Sequence, residues 1–277
     1  MQSSNKLCDG PNTSIQRADM AAEASPSPPE PRPWAVLALD VETHGWLEPL
    51  PDTYKMHRGQ FGKLRSNGVL RNLDYARVVQ LGWCAFAANG DVLHRQELCV
   101  CDAPPCHQKA IDVHGLTDAV LAERGVPLTE ALRHFAVALQ TLQRDGGVLV
   151  SHLLENDAGL LQCEYQRVGA IGDAALLAAL ATDSVCTMQA AAAQQRLVVR
   201  PSRTYAQLRN SFNFNLRAIN LAAACRMYGV AMPAESGGYR VHAALFDAEL
   251  AGRLYFAMRG IAYATSLARP ACFIRRM

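Results

Sequence analysis

The chain has 277 residues, half of them hydrophobic, enough for a sizeable core in one large domain or two small ones. That apolar content excludes a wholly disordered chain, and 27 basic against 25 acidic residues, a net +2, name no partner by bulk charge. The most apolar stretch, near 174–182, lies between Asp173 and Asp183 and falls short of the roughly 18–20 residues of a membrane span.

Residues 1–33 read as a disordered tail, because ASPSPPEPRP holds five prolines that favour a solvated, extended backbone. From Trp34 the composition changes: WAVLALDV is an apolar run of strand length, able to be buried on both faces. Residues 44–76 look irregular. ARVVQLGWCAF and VLHRQELCV form a strand pair around the Asn89-Gly90 turn. PLTEALRHFAVALQTLQRD has the apolar spacing of an amphipathic helix, closed by Gly146 and Gly147. VLVSH then reads as a strand, about 155–167 as a helix and SVCTM as a strand, with late helices near 216–227 and 243–258. Strands followed by strand–helix units predict an α/β sandwich with a mixed sheet, in one domain over 34–262 with a short tail at 263–277.

The nine cysteines are odd in number and spread along the chain. The opening MQSSNKLCDG lacks a secretory pattern, so reduced thiols and an intracellular location, in the cytoplasm, the nucleus or an organelle, are expected. Cys99, Cys101 and Cys106 with His107 offer a zinc reading, but their spacing matches no standard paired-cysteine site.

The chemistry begins at Asp40-Val41-Glu42. Residues two apart in a strand share a face, so both acids project side by side from the end of an apolar strand. Adjacent carboxylates repel, and one protonates unless a cation sits between them. Oxygen ligands favour magnesium or manganese over zinc. The alternative at this point is a strand running out into solvent, where acids are cheap. Two further acids weigh against that alternative. Asp157 sits near the start of a helix that follows a strand, and Asp247 sits in a helix among Leu245, Phe246, Ala248 and Leu250. His242, five residues before Asp247, is about 140° away around an ideal helix, which places it on the preceding loop or first turn.

In order, DVETHG, SHLLEND and HAALFDA resemble the three motifs of the DEDDh 3′–5′ exonucleases. That family includes the polymerase III proofreading subunit, the three-prime repair exonucleases and RNase T-like enzymes. IDVHGLTDAVL, around His114, resembles a further segment of the family. The second motif departs from the usual pattern: Leu153 stands for asparagine and Asn156 for an aromatic residue. The stretch 44–76 is also longer than the usual link.

The resemblance implies a ribonuclease H-like three-layer α/β fold, a five-stranded mixed sheet flanked by helices. It implies two Mg2+ or Mn2+ ions held by Asp40, Glu42, Asp157 and Asp247, with His242 as general base. The implied reaction releases nucleoside 5′-monophosphates from single-stranded or frayed DNA or RNA 3′ ends. Thr43, Trp46 and His114 are the implied substrate contacts; for Trp46, a partly buried loop residue is the alternative. Charge placement agrees with a polyanion. Six basic residues and one acid, Asp74, lie between Lys55 and Arg77, while Ser184–Ala234 has six arginines and no acid. Tyr205, Phe212 and Phe214 interleave with the second segment and could stack bases; a plain solvated face is the alternative for each segment. A feeble nucleic-acid-binding module and an RNA-trimming enzyme are the competing functions.

Overall fold

β1, Val36–Thr43, carries VLALDVET and is buried along nearly its whole length, as a central strand must be. The computed structural model describes residues 32–45, 63–66, 69–72, 76–194, 219–232 and 242–260, all in the unit Arg32–Met277. The proline-rich tail, Trp46, Tyr205, Phe212, Phe214 and most of both basic segments lie outside the described residues.

Within 44–76, read as irregular, β2 (Lys63–Ser66) and β3 (Val69–Asn72) pair antiparallel as a small separate sheet. β4 (Val78–Phe86) and β5 (Val92–Cys99) are the expected strand pair. Two short helices follow, α1 (Gln108–His114) and α2 (Asp118–Arg124). The amphipathic α3 (Leu128–Asp145) ends in left-handed Gly146, whose N–H bonds back to Gln143. Then come β6 (Val148–Ser151), α4 (Leu154–Arg167) and α5 (Ile171–Thr182). SVCTM is strand only at β7, Val185–Cys186; Thr187 already opens α6, Thr187–Gln194. The late helices are α7 (Leu221–Met227) and α8 (Ala244–Met258).

The main sheet has the order β5-β4-β1-β6-β7. β1 runs antiparallel to β4 and parallel to β6, so the sheet is mixed. On one face Leu37, Leu39, Leu81 and Trp83 pack with Phe135 and Leu139 of α3 and Leu161 and Tyr165 of α4. On the other, Val36, Ala38, Cys84 and Phe86 pack with Leu245, Tyr255 and Phe256 of α8. A third cluster joins α6 and α7 to the far side of α8 through Ala191, Cys225, Phe246 and Leu250. The result is the five-stranded mixed sheet flanked by helices on both faces. No helix among the described residues is long and apolar enough to cross a membrane.

Candidate active site

Strand alternation sets the site. Along β1 the residues Val36, Leu37, Ala38 and Leu39 are fully buried, and the pattern opens at Asp40 and Glu42, which are half-buried. In register, Asp40 lies opposite Gly82 and Glu42 opposite Gln80. Gly82 lets α8 lie directly on this part of the sheet: a Cβ there would come 2.1 Å from the backbone nitrogen of Leu245. Gly252, two turns further along α8, makes the matching approach to Phe86 and Ala38. The two glycines bring the start of α8, and with it Asp247, onto the row that holds Asp40.

One ligand atom from each of Glu42, His242 and Asp247 falls within 4.8 Å of the other two. His242 Nδ1 is 3.7 Å from Asp247 Oδ2. The imidazole is half-exposed, and burial lowers its pKa below the ordinary histidine value. His242 stands just ahead of α8 with φ +84°, the left-handed region that non-glycine residues enter at a cost of about 1–3 kcal/mol, and is alone in this among the described non-glycine residues.

Asp157 occupies the first turn of α4, whose preceding residue, Leu153, supplies no side-chain cap. Its carboxylate accepts from Ser151 Oγ at the end of β6 and, at 3.3 Å, from Asn156 Nδ2. Asp157 and Asp247 are buried, and Asp247 Oδ1 has no hydrogen-bond partner. An orphaned carboxylate oxygen in a buried place is costly and calls for a cation or a proton.

The acids feel one another. Burial raises the pKa of Asp40 well above its ordinary value, and the charges of Asp157, Asp247 and Glu42 add to it. Burial, then Asp247, Asp157 and Glu97, push Glu42 up to about 9. Burial lifts Asp157 to about 7 against the pull of Ser151 and Asn156. Asp247 rises to about 7, through burial and the charge of Asp157, although the His242 backbone N–H opposes the shift. Four carboxylates from β1, α4 and α8 thus share one electrostatic neighbourhood. Carboxylate oxygens beside one imidazole fit a hard divalent cation such as Mg2+ or Mn2+.

Of the sequence-derived substrate contacts, Thr43 and His114 are both buried. His114 Nε2 lies 3.1 Å from the Thr43 carbonyl, and its Nδ1 accepts from the Leu116 N–H, which fixes the donating tautomer at Nε2. His114 therefore braces the end of β1. Gly45, with φ +138° and the His107 ring against it, closes the strand at a place where a Cβ would sit 2.7 Å from His107 Nδ1.

Among solved structures, the chain is similar to Exonuclease I without ligand, with a TM-score of 0.54 at 11% identity over 83% of this chain and 43% of that one. E. coli Exonuclease I in complex with a 5cy-dT13 oligonucleotide gives a TM-score of 0.52 at 11% identity over 83% and 41%. The chain shares its fold with Exonuclease I. A full-length 3′-exonuclease is similar too, with a TM-score of 0.50 at 10% identity over 89% of this chain and 71% of that one. The chain spans less than half the length of Exonuclease I. No protein-family model and no curated protein matches the sequence.

Within this fold, three side chains at the site escaped the sequence reading. Ser151 binds Asp157. Gln80 Oε1 accepts from the Ala244 N–H at 2.9 Å, and Glu97 Oε1 from the Leu245 N–H at 3.2 Å. Strand register was the available signal for Gln80 and Glu97. Both lie on the sheet face that α8 covers, across from Glu42 and Gly82 respectively. The neighbouring His152 is engaged elsewhere, its Nδ1 near Thr187 Oγ1 and its Nε2 near the Ile219 carbonyl.

Proposed function

We propose that this chain is a divalent-metal-dependent 3′–5′ exonuclease of the DEDDh type, its catalytic domain spanning about 34–262. The reading rests on one observation above the others. Burial raises the pKa values of four acids drawn from three separate elements, repulsion adds to it at Asp40, Glu42 and Asp247, and one buried Asp247 oxygen is orphaned. Such repulsion costs stability unless a cation offsets it. The fold shared with Exonuclease I and the order of the three sequence motifs support the same reading.

Asp40, Glu42, Asp157 and Asp247 would hold the metal, two ions in the full form of the proposal. Bound there, a divalent cation supplies charge neutralisation and Lewis acidity at a phosphodiester. The chain's own groups do the rest. Burial lowers the His242 pKa, which favours the neutral imidazole, and that imidazole takes the proton of the attacking water. The imidazolium so formed faces Asp247 Oδ2, 3.7 Å from Nδ1. The water oxygen bonds to phosphorus, the bond to the 3′ oxygen of the preceding nucleotide breaks, and a nucleoside 5′-monophosphate leaves. Ser151 holds the Asp157 carboxylate, and His114 holds the Thr43 backbone beside Glu42. Trp46 is proposed to face the terminal nucleotide, with the buried Thr43 and His114 acting through the backbone at the end of β1, and the basic segments to carry the phosphates of a single-stranded or frayed end.

Purified protein is incubated with 5′-labelled single-stranded DNA, duplex DNA and RNA, with Mg2+ or EDTA. Stepwise shortening and mononucleotide release in Mg2+ alone support the proposal. Internal cleavage, or release unaffected by EDTA, refutes it. The relative rates on the three substrates assign DNA or RNA.

A further inference from the structure

Helix α8 begins without a cap of its own. Its N-cap residue, Ala243, has no side chain able to accept a hydrogen bond, and the helix carries Asp247 in its first turn. The opening N–H groups of a helix need acceptors, and when buried they are expensive to leave unmet. Here the acceptors come from other strands. Gln80 of β4, itself buried, takes the Ala244 N–H, and Glu97 of β5 takes the Leu245 N–H. Further along the same face, Arg95 of β5 donates from Nε to Glu249 Oε2 at 2.8 Å, one turn beyond Leu245. β5 thus presents Arg95 and Glu97, two apart and on one face, to successive turns of α8.

We infer that Gln80 and Glu97 are positioning residues that cap α8 from neighbouring strands and so fix Asp247 in the carboxylate cluster. Two acceptors on adjacent strands fix both the rotation and the axial position of the helix start, which one cap cannot do. The Gly82 approach supplies the contact surface and these two bonds supply the register. The consequence for metal binding rests on the metal-site reading above; the capping does not.

The test uses the intact protein with Gln80→Met, Glu97→Met, the double variant and Glu97→Gln, which keeps an acceptor oxygen. Amide hydrogen exchange is read over the first turn of α8, and Mn2+ binding by calorimetry. The double variant is expected to exchange faster at Leu245–Asp247 and to bind Mn2+ about tenfold more weakly, the scale of losing helix caps. Glu97→Gln is expected to stay near wild type in exchange. Should the double variant fail to fold, the single methionine variants carry the same comparison. First-turn exchange at the wild-type rate in the methionine variants overturns the inference. So does faster exchange with unchanged Mn2+ affinity, which would mark a role in stability only. A wild-type protein that binds no Mn2+, while exchange responds as expected, refutes the metal site and supports the capping.

Discussion

His242 combines a left-handed backbone, a half-exposed ring and a pKa lowered by burial. A base works only when neutral, so a lowered pKa moves the loss of rate to more acid conditions. In the Mg2+-loaded protein the acid limb of the pH–rate profile is expected below 6.5, the ordinary histidine value. His242→Gln should cut the rate by about 10²–10⁴-fold and remove that limb; an unchanged limb would take the proton-transfer role from His242. Ser151→Ala tests the support given to Asp157. Losing the donated hydrogen bond should push the Asp157 pKa further up and weaken Mn2+ binding, as measured by calorimetry.

Individual contacts add up to placement at the level of strand and helix. α8 carries a buried ion-pair group in which Glu249 accepts from Arg95 and from Arg253, both Glu249 and Arg253 being fully buried. Burial opposes the Glu249 charge, but the two guanidinium groups outweigh it and hold its pKa below the usual value. Glu249→Leu would remove the buried carboxylate to which Arg95 and Arg253 both donate and should cost about 3–5 kcal/mol in a denaturant melt. Gly82→Ala attacks the same helix sterically. Its new Cβ meets the backbone of Ala244 and Leu245, which cannot swing aside as a long side chain would. The expected loss is about 1–3 kcal/mol, together with weaker metal binding, because Asp247 moves with the helix. A Gly82→Ala protein as stable as wild type would show that α8 does not need this approach.

For the molecule as a whole, the burial of the acids, with the repulsion among them, couples stability to pH. Without metal, the native state holds protons on Asp40, Glu42, Asp157 and Asp247 at pH values where the unfolded chain has released them. More protons on the native state mean that stability falls as pH rises, from the ordinary carboxylate range through about 7 to about 9. Thermal melts of metal-free protein should therefore drop between pH 5 and pH 8, and Mg2+ should restore more at pH 8 than at pH 5. A metal-free melting temperature that rises over this interval would contradict the picture.

Much of this architecture could be read from periodicity. The buried run before Asp40, the spacing of α3 and the strand pair around Asn89-Gly90 all carry local signals. α5 escaped because IGDAALLAALAT is apolar on most sides and its N-cap, Ala170, makes no side-chain cap. SVCTM looked like a full strand because β-branched residues recur in it, yet Thr187 is drawn into a helix. The acids were legible as motif residues. Gln80, Glu97 and Ser151 were not, since an amide, an edge-strand acid and a serine gain their roles only from the register that sets them beside α8 and Asp157.

Calorimetric titration of metal-free protein with Mn2+ at pH 7.5, set against Asp40→Asn and Asp247→Asn, bears most directly on the convergence of the acids. Saturable binding by the wild type, lost or weakened at least about tenfold in each variant, is the expected result. Binding of equal strength in all three proteins, or none in the wild type, would mean that these carboxylates do not form a metal site.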